Sequence, residues 1–282
     1  MPELPEAEYM VRRLTAYAPA ARIRDVKILR SGVVEPQSVD QVRSRISGSR
    51  VIGYARRAKN VLIHLDQGWS VRIQLGMTGH VYWIADHRQV PRFTRVLLEL
   101  EDGAGLVFED CRMFGSLHVH RMAELAGVFA QYGPEPLEES FTWQVLKTRA
   151  GRTRVPIKPF LLDQSKVAGL GNIWAAETLF HARVHPEARV DTLSDGAWRR
   201  VHAAIRSTLS EAIRNTDRVT AAPEDFPEAD LLHCAVYGRG EQPCRRCPGR
   251  IRRFVQAGRS TFLCPRCQRA PRDKNKVQVK LD

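Results

Sequence analysis

The sequence predicts an α+β chain of several domains, and three observations carry that expectation. From Ile23 to Glu109 short segments alternate apolar and polar residues between turn signals. From about Met122 a helical period takes over. Near the C-terminal end four cysteines stand in two closely spaced pairs. The expected order is an N-terminal helix, a β domain, a helical domain and a small appended metal module. At 282 residues the chain can hold two compact domains or one large one.

The first element is a helix from Glu3 to about Tyr17, since Met10, Val11, Leu14 and Tyr17 recur at three- and four-residue spacing. Pro5 suits a first turn, and the acids of "MPELPEAE" complement a helix dipole. Pro2 follows Met1, so removal of Met1 exposes a secondary amine. A helix start and a chemically active chain end are both open at this point.

Strands follow. "NVLIHL", "WSVRIQL", "HVYWI", "TRVLLEL" and "GLVFE" alternate between the turn signals "DQG" and "EDGAG", which predicts an antiparallel sandwich or barrel. Further on, "SDGAWRRVHAAIRSTLSEAIRN" predicts a helix capped by Ser194, with Ala197, Val201, Ile205, Leu209 and Ile213 as its apolar stripe. "WQVLKT" and "IWAAETLFHA" predict two more helices. The stretch "TAAPEDFPEAD" then leads into the cysteine segment, and no internal repeat is visible.

The formal charge is +13, and its placement matters more than its size. From Arg239 to Asp282 there are 13 Lys or Arg against Glu241, Asp273 and Asp282, a net of +10, so the rest of the chain carries only +3. Such a block suits a polyanion such as DNA or RNA; a solubilising tail is the alternative. No apolar run approaches the roughly 18 residues of a membrane span, and no signal or transit pattern opens the chain. A cytoplasmic or nucleoid-associated protein with no membrane partner is expected.

Cys244, Cys247, Cys264 and Cys267 are spaced C-x2-C-x16-C-x2-C. Two such knuckles suit one structural Zn2+, because four protein thiolates leave no open position for catalysis. Cys111 and Cys234 lack partners at that spacing and are expected to be ordinary buried thiols. Between the knuckles "PGRIRRFVQAGRSTFL" fits a β-hairpin bearing Arg250, Arg252, Arg253 and Arg259, the last beside Gly258 near the tip, in reach of a phosphate.

Three glycine-marked loops complete the candidates. "LGMTG" sets Met77 between two glycines, as core packing or as a wedge for a base stack. "EDCRMFG" brings Arg112 and Phe114 close together. In "VAGLGNIWAAETLF" two glycines precede Asn172 at a helix entrance, where backbone N–H groups favour phosphate. It is not a dinucleotide fingerprint, lacking the third glycine and a preceding strand.

Taken in order, "PELPEAE", "RRAKN", "LGMTG", "GLGNIWAAETLF", "VYGRGEQPC" and the zinc hairpin resemble the formamidopyrimidine-DNA glycosylases and endonuclease VIII proteins, over positions 2 to about 268. The set Met77, Arg112 and Phe114 leans toward the formamidopyrimidine branch. The resemblance implies a catalytic β-sandwich with its N-terminal helix (1–120), a helix–two-turns–helix DNA-binding domain (121–220), a linker and zinc finger (221–268) and a basic tail (269–282).

It also implies a monomeric base-excision-repair glycosylase with abasic-site lyase activity, acting on damaged double-stranded DNA. Oxidised or ring-opened bases leave through a Schiff base on Pro2, and the strand is cut by β,δ-elimination. In this resemblance Glu3 is the general acid/base, Glu6 orients the site and Lys59 contacts phosphate and assists catalysis. Asn172 and Arg259 grip phosphates, Lys158 lies near the damaged nucleotide, and Tyr237 of "VYGRGEQPC" belongs to the DNA-binding set. Met77, Arg112 and Phe114 fill the space of an extruded base, extrusion being required because C1′ is inaccessible in a stacked duplex.

Three departures stand out. Gln74 occupies a position where the family commonly has a phosphate-binding histidine. Met113 replaces the second arginine of an "RRF" run. The stretch "RVTAAPEDFPEADLLHCAVYG" is shorter than its family counterpart and lacks its glycines. A glycosylase specialised for bulky or crosslinked lesions, or a non-catalytic damage-binding member, are the alternative expectations.

Overall fold

Helix α1, Leu4–Tyr17, joins the two halves of the protein. In the computed structural model, which describes residues 2–219 and 234–270, Glu3 is its N-cap and donates its N–H to the Glu6 carboxylate at 2.9 Å. Ala7, Met10, Val11 and Leu14 pack into the β domain, whereas Leu4 sits in the core of the helical domain. Leu4 N–H also bonds the carbonyl of Gly169 at 3.1 Å. One helix therefore fixes the chain start against both cores.

The β domain is a sandwich rather than a closed barrel. Its strands are β1 (Ile23–Ile28), β2 (Val51–Arg57), β3 (Asn60–Leu65), β4 (Trp69–Gln74), β5 (Gly79–Ile84), β6 (Thr94–Leu100), β7 (Gly105–Asp110) and β8 (Ser116–Arg121). They form two four-stranded antiparallel sheets, β1-β6-β7-β5 and β2-β3-β4-β8. Val61, Ile63, Val96, Leu98 and Leu106 share the core between them, as alternating strands require. The sequence reading missed helix α2 (Val39–Ile46) and strands β1, β2 and β8. α2 opens with a reciprocal cap: Ser38 Oγ accepts from Gln41 N–H at 3.1 Å and Gln41 Oε1 accepts from Ser38 N–H at 3.0 Å.

The helical half contains a short turn α3 (Leu125–Val128), α4 (Trp143–Ala150), α5 (Ile157–Leu162), α6 (Asn172–Ala182) and α7 (Asp195–Val219). On α7 the expected stripe of Ala197, Val201, Ile205, Leu209 and Ile213 is buried, and Ser194 Oγ accepts from Ala197 N–H at 3.3 Å. α6 is different, because nearly all its residues are buried. It packs on α7 and α5 in the helical core, and through Ala176 and Phe180 against Val236, Ile251 and Phe262 of the finger. A helix covered on every side shows no amphipathic stripe in its sequence.

The finger hairpin pairs β9 (Arg252–Gln256) with β10 (Arg259–Leu263). Its tip residues Ala257 and Gly258 both have positive φ, +48° and +72°, as a two-residue turn between right-twisted strands demands. Arg259 leaves directly from that tip. Cys111 corrects an expectation: it is exposed, because it lies on a loop projecting beyond β7, and Cys234 is half-buried. Most of the "RVTAAPEDFPEADLLHCAVYG" stretch and residues 271–282 of the basic tail lie outside the described residues. Among the described residues no helix is long and apolar enough to cross a membrane.

Candidate active site and metal centre

Glu3 is completely buried, yet its carboxylate is well provided for. Oε2 accepts from Gly171 N–H at 2.7 Å and Trp174 N–H at 3.3 Å, and Oε1 accepts from Ile173 N–H at 2.9 Å. These are the otherwise unsatisfied donors at the entrance of α6, where the helix dipole also favours a carboxylate. The glycines of "GLGN" are what permit this approach. A Cβ on Gly171 would lie 2.2 Å from Glu3 Cδ, and one on Gly169, at φ +83°, would lie 2.7 Å from Leu4 Cδ1. Pro2, immediately before Glu3, is buried.

Burial, and then the neighbouring charge of Glu3, push Glu6 up to about 7. This gives the site a pH signature. The folded value lies above the ordinary 4.5, so folding favours the protonated form. The stability tied to that proton is complete below pH 4.5 and is lost as pH rises through 7. Glu6→Gln keeps an acceptor for Glu3 N–H and cannot ionise. Its melting temperature should match the parent's near pH 5 and exceed it above pH 8, by an amount equivalent to about 1–3 kcal/mol. Melting curves across that range check this, and a difference independent of pH would refute it.

Lys59 sits on the two-residue turn between β2 and β3, beside Ala58 at φ +53°. That turn is held by Glu135, which sequence reading did not single out. The Glu135 carboxylate accepts from Arg56 Nη1 at 2.6 Å, Arg57 Nη1 at 2.7 Å and Ala58 N–H at 2.6 Å. Burial pushes its carboxyl up, but Arg56, the Ala58 N–H and Arg57 together hold it below the usual carboxylate range. Burial lowers Lys59, Arg259 adds to that, and the charges of Glu3 and Glu6 oppose it. Burial likewise brings Lys158 down to about 8, with Arg259 assisting and Glu3 opposing. Glu3, Glu6, Lys59, Lys158 and Arg259 thus share one electrostatic neighbourhood drawn from all three parts of the protein.

The side chain of Lys158 is 1 % exposed, an unusual state for a lysine expected beside a nucleotide. Nζ donates to the carbonyl of Ser260 at 3.1 Å and to Thr261 Oγ1 at 2.7 Å. Asn172 Nδ2 donates to the same Ser260 carbonyl at 3.1 Å. Two polar groups of the helical domain therefore converge on the residue after Arg259, which is exposed. Each keeps an unused N–H. Tyr237 is half-buried, its ring edge-on to Phe262 at 5.1 Å. Its backbone is fixed by Glu177, a second residue missed from the sequence, whose carboxylate accepts from Ala235, Val236 and Tyr237 N–H at 2.7–2.9 Å.

The two wedge-candidate loops lie side by side at the end of the sandwich, after β4 and β7 respectively. Met77, Met113 and Phe114 are exposed, and the Arg112 guanidinium stacks 4.8 Å over the Phe114 ring. Gln74, also exposed, accepts from Arg72 Nη2 at 3.1 Å. Exposed apolar side chains on rigid loops are not core packing.

The four knuckle cysteines form the metal centre. Their Sγ atoms all lie within 4.8 Å of one another, with Cys244–Cys267 at 4.0 Å, Cys247–Cys264 at 3.5 Å and Cys247–Cys267 at 3.6 Å. A tetrahedral zinc with Zn–S near 2.3 Å has S–S edges of about 3.8 Å, so the set fits one ion. Backbone N–H groups of Arg246 and Gly249 point at Cys244 and Cys247 Sγ at 3.3 and 3.4 Å, the arrangement that stabilises metal-bound thiolates.

Comparison with known proteins agrees with this anatomy. Residues 1–117 match the formamidopyrimidine-DNA glycosylase N-terminal domain, 132–222 its H2TH domain and 241–270 a zinc finger found in formamidopyrimidine-DNA glycosylase and isoleucyl-tRNA synthetase. A formamidopyrimidine-DNA glycosylase of Pelotomaculum thermopropionicum is 36% identical over 277 residues, covering 95% of this chain and 99% of the relative. The Lactococcus lactis enzyme in complex with abasic-site DNA superposes with a TM-score of 0.87 at 27% identity, over 95% of this chain and 100% of that one. Its complex with DNA containing a formamidopyrimidine-guanine lesion gives 0.86 at the same identity and coverage. With its three parts matched in order and a relative this similar over nearly its whole length, the chain belongs to the formamidopyrimidine-DNA glycosylase family.

Proposed function

We propose that this protein is a base-excision DNA glycosylase that also cleaves the strand at the abasic site it creates, working on damaged duplex DNA at the nucleoid. The observation that carries the reading is the buried Glu3 carboxylate, held next to Pro2 by the amides of α6. The relatives named above supply the substrate class: one binds DNA with a ring-opened guanine and DNA with an abasic site.

Once Met1 is removed, Pro2 presents a secondary amine whose intrinsic pKa is about 8, closer to neutral than that of lysine. The amine attacks C1′ of an extruded nucleotide. The N–C1′ bond forms as the bond to the base breaks, the base leaving as its anion to take a proton from water. Glu3 takes the proton released by the amine and delivers it to the ring oxygen as the C1′–O bond opens. The resulting iminium cannot be neutralised by loss of an N–H proton. The C2′ proton passes to the Glu3 carboxylate, the electrons of that bond flow into the iminium and the resulting enamine expels the 3′ phosphate. A second elimination, with the C4′ proton lost to water, expels the 5′ phosphate, and hydrolysis frees Pro2. Lys59, Asn172 and Arg259 hold the flanking phosphates, with Lys158 and Tyr237 behind them and Gln74 as an uncharged hydrogen-bonding contact. Met77, Arg112 and Phe114 occupy the space the nucleotide leaves.

The test is borohydride reduction during incubation with abasic-site duplex. A covalent adduct whose peptide map places the DNA on Pro2 is the expected result. No adduct from protein with Met1 absent and zinc bound would replace this reading with that of a damage-binding protein.

A further inference from the structure

We propose that Asp110 is a positioning residue that locks the two base-replacing loops into a single wedge, so that it governs entry into the stacked duplex rather than chemistry at C1′. The inference rests on the glycosylase reading above and goes beyond it. Asp110 ends β7, is fully buried, and stands opposite Gly79 in the sheet.

Its carboxylate reaches both loops. Oδ1 accepts from the Thr78 hydroxyl and from Arg112 N–H at 3.2 Å, and Oδ2 accepts from Gly115 N–H at 2.7 Å. Thr78 Oγ1 in turn accepts from Arg112 N–H at 3.2 Å, so that hydroxyl bridges the loops in its own right. The main chain of Asp110 is pinned as well, its carbonyl accepting from Arg95 Nε at 2.6 Å.

The backbones of the loops are in direct contact, and the glycines make that possible. A Cβ on Gly76, at φ +60°, would lie 2.5 Å from the Phe114 carbonyl carbon, and one on Gly115 would lie 2.7 Å from the Gln74 carbonyl oxygen. Met77 therefore cannot move independently of Arg112 and Phe114 without breaking bonds to Asp110. A wedge must enter a base stack without first ordering itself, since ordering on binding subtracts from affinity. A buried carboxylate with at least three donors from two loops supplies that rigidity directly beneath the exposed apolar tips.

Asp110→Asn keeps the shape but offers one acceptor oxygen and turns an NH2 group toward N–H and O–H donors. Thr78→Val removes only the bridging hydroxyl. Single-turnover excision of a ring-opened guanine from duplex should fall about 10-fold or more in either variant, whereas cleavage of a preformed abasic site, with no base to displace, should stay within about threefold. The fluorescence rise of 2-aminopurine placed beside the lesion should shrink in parallel. Equal losses on both substrates, or no loss on either, would overturn the proposal. Should Asp110→Asn fail to melt cooperatively, Thr78→Val decides by the same ratio. If the parent protein gives no borohydride adduct, the glycosylase reading fails first; if it does and the ratio is unchanged, only this inference fails.

Discussion

Glu3→Gln is expected to slow base excision by about 100- to 10,000-fold, the usual weight of a positioned acid/base, while a preformed abasic site is cleaved with a much smaller loss. The asymmetry follows from the chemistry. Excision from an intact nucleotide requires the sugar to open, and a proton at the ring oxygen drives that step. An abasic site already equilibrates with its open-chain aldehyde, so the Pro2 amine can condense with it unaided. The variant also carries a structural penalty. Whichever way the new amide turns, its NH2 faces Gly171 or Ile173 N–H, two donors that the carboxylate now satisfies at 2.7 and 2.9 Å. That should cost about 1–3 kcal/mol of stability. Excision and abasic-site cleavage measured on one preparation, alongside a melting curve, separate the two effects. Equal loss on both substrates would remove Glu3 from the proton-transfer role.

Glu3 also shows where sequence reading stops. The position of a carboxylate beside Pro2 is visible in "MPELPE", and the glycines before Asn172 mark a helix entrance. That one satisfies the other, across 168 residues, is a fact of tertiary packing. The same holds for Glu135, Glu177 and Asp110, which look like surface acids in the chain and become backbone anchors only when distant segments meet. Lys158, a basic residue expected near the damaged nucleotide, has bonds to the finger that no local pattern announces.

Patterns with a fixed local period were easier to read. The α7 stripe, its Ser194 cap, five strands and the cysteine spacing each express one element's own geometry. α6 gave a weaker signal because its surroundings bury every face. α2 was missed although Ser38 and Gln41 form a capping box, since eight residues between strands give the helical period little room to declare itself. The exposure of Cys111 depends on a loop projecting from the sheet, which cysteine spacing does not report.

Stripping the zinc, or breaking its site with Cys264→Ser, should abolish capture of abasic DNA and lower the melting temperature of the helical domain with it. The finger buries few apolar side chains, chiefly Val236, Ile251 and Phe262 against α6, too small a core to fold a segment of this size alone. In zinc-finger peptides metal binding supplies about 10–16 kcal/mol, and that free energy is the folding free energy of the module. Its loss reaches further than the finger. Without an ordered β10, Lys158 loses both the Ser260 carbonyl and Thr261 Oγ1, and Asn172 loses the same carbonyl. A buried ammonium stripped of its acceptors destabilises its surroundings by a few kcal/mol, on the order of a broken buried charge contact. Arg259, beside that carbonyl, loses its fixed place at the same time. Metal analysis should give one zinc per chain, chelation should shift the helical melting transition downward, and readdition of zinc should restore both the transition and the borohydride adduct. A metal-free protein that melts at the parent temperature and still forms the adduct would mean that the finger neither holds Arg259 in place nor supports Lys158.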